Sequence, residues 1–80
     1  MAFILEVYRR PPSNTAREAV LTQEMDNLEG RLDFREEADE PEQGAICLTY
    51  EFDDPETART AVDMLRDQGE MVEGPFRRRL

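Results

Sequence analysis

The side chains that could do chemistry in this chain are few, and they form no recognisable catalytic set. The sequence has no His and a single Cys, Cys47. A Ser-His-Asp or Cys-His nucleophile therefore cannot be assembled from it. One Cys alone makes neither a zinc site nor an intrachain disulfide, and no His or Lys is present to activate its thiol. We predict no catalytic residue, no metal site and no cofactor, and we expect that the protein is not an enzyme.

Two charged clusters offer weaker possibilities for binding. The acidic run from Glu36 to Glu42 supplies oxygen ligands, but it lacks the spaced Asp/Asn and Gly residues that order a calcium loop. Arg9 and Arg10 precede a predicted helix and could hold an anion there. We favour the interpretation that these arginines cover a sheet edge. The sequence does not identify a small-molecule ligand.

The net charge of −9 is concentrated in one segment of the chain. Nine of the 19 acidic residues lie between Glu36 and Glu56, a span without any Arg, while the other ten acids balance the ten basic residues. Such a surface repels nucleic-acid phosphates and anionic membranes. The apolar run Ala2 to Leu5 is too short to span a membrane. We therefore expect a cytoplasmic protein whose partner is neither a nucleic acid nor a membrane.

Residue spacing predicts six secondary-structure elements. In the first half, alternation predicts a strand over Phe3–Tyr8 and a second strand over Arg31–Arg35. Between them, the capping-box pair Thr15 and Glu18 predicts a helix that runs to about Glu29, with Gly30 as its C-terminal cap. In the second half, the pattern predicts a strand over Ala45–Phe52, a helix that starts at Asp54-Pro55 and stops at Gly69, and a short strand at Met71-Val72 that Gly74-Pro75 interrupts.

The element order strand, helix, strand, strand, helix, strand predicts an α+β fold. Two interleaved right-handed strand-helix-strand units give a ferredoxin-like βαββαβ sandwich, with an antiparallel sheet of order 4-1-3-2 and both helices on one face. We expect one domain over residues 1–80. The predicted core contains the residues that face the helices, together with the apolar helix positions: Phe3, Leu5, Val7, Val20, Leu21, Leu28, Leu32, Phe34, Ile46, Leu48, Tyr50, Ala58, Val62 and Leu65.

The segment Gln43-Gly44-Ala45-Ile46-Cys47-Leu48-Thr49-Tyr50 resembles the third-strand signature of the RNA recognition motif. The following Asp53 to Ala58 is similar to that family's entry into its second helix. Membership would imply single-stranded RNA binding by aromatic rings on the open sheet face. The matching positions hold Ile4, Ala45 and Cys47, and Gln43 replaces the basic residue, so no binding residue is carried over.

The open face of the predicted sheet is the best candidate for a binding site. Its apolar centre and charged rim are typical of a modest protein interface, and a solvated face is an equally good interpretation. The candidate interface residues are Ile4, Glu6, Tyr8, Arg31, Arg35, Ala45, Cys47 and Thr49. We expect a small interaction or regulatory module that forms a homodimer or binds another protein. The alternatives are a small dimeric α+β-barrel enzyme and a degenerate RNA-recognition-like domain.

Overall fold

The computed structural model describes residues 2–37 and 46–78 of the chain. These residues form four strands and two helices in the order β1, α1, β2, β3, α2, β4. Their bounds are β1 Phe3–Arg9, α1 Thr15–Asn27, β2 Arg31–Glu37, β3 Ile46–Phe52, α2 Pro55–Asp67 and β4 Met71–Arg77.

The four strands form one antiparallel sheet of order β2-β3-β1-β4. Read from the β4 edge, the same neighbours give 4-1-3-2. The inner strands β1 and β3 bury alternate side chains on one side, because strand residues point to opposite faces with a period of two. Both helices contribute to the single hydrophobic core on that side. The protein is therefore an α+β structure with a helix-covered side and an open side.

Thirteen buried hydrophobic residues make up the core of the described part of the chain. The inner strands and α2 supply most of them, as predicted, and α1 contributes only Leu21 and Met25. Three predicted core residues are wrong. Val20, Leu32 and Phe34 are 46%, 41% and 57% exposed, respectively. Val20 lies on the outer side of α1, and the other two lie on β2, an edge strand whose residues are all exposed.

An irregularity in β2 reverses which side chains face the helices. Leu32 pairs with Tyr50, but Phe34 pairs with Thr49, so two steps along β2 match one step along β3. This β-bulge shifts the alternation by one residue. Phe34 consequently lies on the open side and Arg35 lies on the helix side. Strict alternation through β2 predicted the reverse, and for these two residues it is wrong.

The structure also moves both predicted ends of α1. The N-cap is Asn14, whose Oδ1 accepts a hydrogen bond from the backbone N–H of Arg17 at 3.0 Å, and the predicted cap Thr15 is the first helical residue. The helix ends at Asn27 rather than at Glu29. Asn fits the cap better than Thr, because its side-chain oxygen reaches the N–H groups of the first turn from an extended backbone.

The two helices end in the same hydrogen-bonded motif with different residues at its left-handed position. After α1, the N–H of Gly30 donates to the carbonyl of Met25, and the N–H of Glu29 donates to that of Asp26. After α2, Glu70 and Gly69 make the corresponding bonds. The left-handed residue is Gly69 (φ 86°) in α2 but Glu29 (φ 66°) in α1. A non-glycine residue at this position is strained by its Cβ.

Replacing Glu29 with Gly is expected to raise the free energy of unfolding by about 1 kcal/mol, because Gly adopts positive φ without a steric cost. Gly69→Ala is the matched control. No heavy atom lies within 4 Å of the added Cβ, so that variant loses stability through the backbone alone. Urea denaturation of both variants measures the two changes. A Glu29→Gly variant that is less stable than the parent would contradict this account of the α1 terminus.

Strand β4 continues through Gly74 and Pro75 to Arg77, although this dipeptide was expected to interrupt it. The register between β1 and β4 shifts between Ile4 and Glu6, opposite this dipeptide. Gly74 has a φ of 121°, and a Cβ there would lie 3.0 Å from the carbonyl oxygen of Ile4. A Gly therefore lets the strand pass this irregularity, and Phe76 remains part of the sheet.

Candidate interaction surface on the open side of the sheet

The cross-strand register arranges the side chains of the open side in three rows. Each row crosses β2, β3, β1 and β4 in that order. The first row is Arg31, Glu51, Ile4 and Phe76; the middle row is Phe34, Thr49, Glu6 and Glu73; the third row is Glu36, Cys47, Tyr8 and Met71. We call the surface formed by these residues the open face.

The open face carries much of the exposed apolar surface of the described residues. Three of the five exposed large hydrophobic side chains lie on it: Phe34 is 57% exposed, Met71 66% and Phe76 43%. Ile4 and Tyr8 lie between them on β1 and are partly exposed. Single exposed apolar side chains are ordinary in proteins, but several on one flat sheet surface are characteristic of an interaction site.

An ion-pair network occupies one corner of the open face. Arg31 pairs with Glu51 and lies 3.3 Å from Asp53, while Arg78 lies 2.8 Å from Asp33 and also pairs with Glu51. Two arginines thus balance two of three carboxylates. Exposed pairs of this kind add little to stability. Their effect here is that Arg31 and Arg78 are engaged by carboxylates within the same corner of the open face.

The middle row contains two carboxylates that face each other across neighbouring strands. Glu6 on β1 pairs directly with Glu73 on β4. No salt bridge to either is found within residues 2–37 and 46–78. Like charges directly opposite each other destabilise a sheet. The centre of the open face is therefore acidic, whereas its margins carry the exposed apolar side chains.

Two weak acids beside Glu6 are held in their neutral forms. Burial, followed by the charge of Glu6, raises the pKa of Tyr8 to about 12. Burial also raises the pKa of the Cys47 thiol, against a hydrogen bond with Thr49 that lowers it. The Cys47 Sγ lies 3.7 Å from Oε2 of Glu6 as a hydrogen-bond donor. A thiol whose pKa is raised is a poor nucleophile, so this geometry offers no activated cysteine.

The structure brings together most of the predicted interface residues and removes one of them. Ile4, Glu6, Tyr8, Arg31, Cys47 and Thr49 all lie on the open face. Arg35 does not, because of the β2 bulge, and Ala45 lies outside the described residues. Sequence reasoning missed five members that the bulge and the continuation of β4 place there, namely Phe34, Glu36, Met71, Glu73 and Phe76. Alternation in β4 could have indicated Met71 and Glu73.

Arg35 instead joins β2 to the start of α1. Its Nε donates to Oε1 of Glu18 at 2.7 Å, and its Nη2 donates to Oγ of Ser13 at 3.1 Å. The hydrogen bond from Arg35 lowers the pKa of Glu18. Arg9, considered above as part of an anion site, lies 3.5 Å from the Glu70 carboxylate. Both arginines therefore have structural partners on the helix side.

The remaining chemical possibilities find no support in the described part of the chain. Residues 38–42 of the acidic run lie outside it, and within it no group of three or more Cys, Asp or Glu is placed to hold a metal ion. Neither described helix has the length and apolar character needed to cross a membrane. Comparisons with protein-family models, curated proteins and solved structures find no match for this chain.

Proposed function

We propose that this chain is a ferredoxin-like βαββαβ domain that acts as a small protein-interaction module and self-associates through the open face. The observation that carries the proposal is the presence of Phe34, Met71 and Phe76 as exposed side chains on one flat sheet surface. A second copy is a suitable occupant, because two sheets of the same shape pack face to face about 10 Å apart.

The size of the open face limits how tightly two copies would bind. Four strands about 4.8 Å apart, each of seven residues at about 3.3 Å, give a surface of roughly 400 Å². A standard stable interface buries about 800 Å² of accessible surface per partner. The proposed dimer therefore belongs to the weak class, with a dissociation constant of about 1–100 μM.

Charge opposes self-association, and salt is expected to strengthen it. The chain has a net charge of −9, and the middle row places Glu6 and Glu73 at the contact. Salt screens the repulsion between exposed charges over about 10 Å at 0.1 M. Contacts made mainly by apolar side chains lose nothing in the process. A dimer held by the open face should thus become tighter as ionic strength rises.

Replacing either Phe34 or Met71 singly with Ser is expected to weaken the dimer at least tenfold, because each substitution loses apolar contact worth about 1.4 kcal/mol or more. Both side chains are exposed, so the fold should be retained. The control is Val20→Ser, which removes a similarly exposed hydrophobic residue from α1. Sedimentation equilibrium at several salt concentrations measures the dissociation constant. A parent chain that stays monomeric at about 100 μM in every salt would overturn the proposal.

The competing functions fit the open face less well. A dimeric α+β-barrel enzyme encloses polar catalytic groups between its sheets, whereas here Phe34, Met71 and Phe76 are exposed and the Cys47 thiol has a raised pKa. For RNA, the rings of Tyr8, Phe34 and Phe76 offer stacking surfaces. The unbalanced carboxylates of the middle row would repel the phosphates that accompany the stacked bases.

A further inference from the structure

The three-row arrangement of the open face restricts how two copies can meet, provided that they self-associate as proposed above. A two-fold axis in the plane of contact can run along the strands or across them. An axis across the strands, along the middle row, keeps each strand opposite its own copy and exchanges the first and third rows. In such an interface every contact between unlike residues occurs twice.

The axis across the strands makes the outer rows complementary. Arg31 then faces the partner's Glu36, and Phe76 faces the partner's Met71. In the same arrangement Ile4 faces the partner's Tyr8. The axis along the strands would instead place Arg31 opposite the partner's Phe76 and Glu36 opposite the partner's Met71. That arrangement buries two charges against apolar side chains, which is costly. Charge and apolar matching therefore both favour the axis across the strands.

On that axis, the middle row meets itself. Phe34 stacks near the partner's Phe34, a favourable aromatic contact. The carboxylates of Glu6 and Glu73 meet their own copies, so four carboxylates lie along the axis. Desolvating four negative charges together is unfavourable, and protons relieve both the repulsion and the desolvation.

We propose that two copies pair face to face about an axis that crosses the strands along the middle row, and that Glu6 and Glu73 take up protons when they do so. Association coupled to proton uptake becomes stronger as pH falls and weaker as pH rises, by linkage. The open face would then form its dimer preferentially in mildly acidic solution.

Among the described residues, Glu6 and Glu73 are the carboxylates of the open face that have no arginine beside them, either within one copy or across the axis. Tyr8 and Cys47 stay neutral because their pKa values are raised. Arg31 and Arg78 contact Asp33, Glu51 and Asp53 within each copy, and Arg31 also faces the partner's Glu36 across the axis. Both helices pack on the opposite side of the sheet.

The pH dependence is tested by sedimentation equilibrium between about pH 8 and about pH 5, above the ordinary range of carboxyl pKa values. The parent dissociation constant should fall at least about tenfold over this range. Glu6→Gln/Glu73→Gln should bind about tenfold tighter than the parent at the upper pH and respond little to pH. The control Asp63→Asn/Asp67→Asn removes the same charge from the exposed side of α2 and should keep the parent's pH response.

The outcomes separate this inference from the proposed function. A dimer whose affinity does not change with pH, or whose pH response survives in Glu6→Gln/Glu73→Gln, would overturn the proton coupling and leave self-association in place. A chain that stays monomeric at both pH values, in the parent and in the double Gln variant, would overturn self-association itself.

A charge exchange tests the position of the axis. Arg31→Glu and Glu36→Arg should each weaken the dimer several-fold, because each brings like charges together across the axis twice. The double variant restores opposite charges and should regain most of the parent affinity. A double variant no tighter than the weaker single variant would overturn the axis across the strands.

Discussion

Replacing Gly30 with Ala is expected to lower the free energy of unfolding by about 2–3 kcal/mol. Gly30 is buried between α1 and β2, and a Cβ at this position would lie 2.4 Å from Cζ and 2.5 Å from Cε2 of Phe52. The Phe52 ring is only 1% exposed, so it can move only by displacing other core residues. Close-packed interiors resist even one added methyl group.

Chemical denaturation of Gly30→Ala measures this loss, and a second substitution identifies its cause. In the background Phe52→Leu, the ring is absent, so adding the methyl group should cost clearly less than it does in the parent. Equal costs in the two backgrounds would show that the ring contact is not responsible. Since Gly30 does not have a positive φ, relief of backbone strain cannot produce this difference.

Replacing Leu21 with Ala is expected to cost about 2–5 kcal/mol, the range for truncating a fully buried Leu. The effect should be unusually disruptive for α1, because only Leu21 and Met25 of its 13 residues are buried, against four in α2. A groove of about 480 Å³ also separates part of α1 from β2 and includes Ala19, Thr22 and Leu32 in its lining. Helix α1 therefore buries few apolar side chains against the sheet.

Thermal denaturation gives the loss of stability, and native-state hydrogen exchange shows where it occurs. In the parent, the free energy of opening measured at the amides of α1 should be lower than that measured at the amides of α2. Leu21→Ala should enlarge this difference. The neighbouring Val20→Ala, at a position 46% exposed, should change stability by less than about 0.5 kcal/mol. Uniform exchange from both helices would contradict the weak attachment of α1.

The sequence predicts best the features that depend on neighbouring residues in the chain alone. Asp54 followed by Pro55 starts α2 as expected, with Oδ2 of Asp54 accepting from the backbone N–H of Thr57 at 2.9 Å. The alternation of β3 gives its buried and open sides without error. The spacing of apolar residues in α2 likewise identifies its buried face. These patterns are regular because each element packs on the core along its whole length.

The errors lie where tertiary context decides. The pattern Arg31 to Arg35 contains no Gly or Pro to mark a bulge, so alternation alone places Phe34 inside and Arg35 outside. In the structure Arg35 satisfies its charge with Glu18, which requires it to lie on the helix side. Similarly, Gly30 is glycine because of its contact with Phe52, and not because it supplies the left-handed residue after α1.

The candidate site was therefore only half predictable. Ile4, Cys47 and Thr49 follow from the alternation of the inner strands, where burial of one face fixes the register. Phe34 and Phe76 lie on edge strands beyond an irregularity, and their side cannot be assigned without the register of the neighbouring strand. These two aromatic side chains change the open face from a small apolar patch into the larger surface on which the proposed function depends.

The irregularities of the two edge strands have a consequence for how large an assembly can become. A straight edge strand offers a row of free N–H and C=O groups to which further chains can add without limit, as in a fibril. Here β2 is bulged and carries charged residues at its end, while β4 contains Pro75, which has no N–H to donate. Both edges of the sheet therefore disfavour the addition of further strands. Each chain has one open face, by contrast, and a bound second copy leaves no open face available on either chain. Association would therefore stop at two chains.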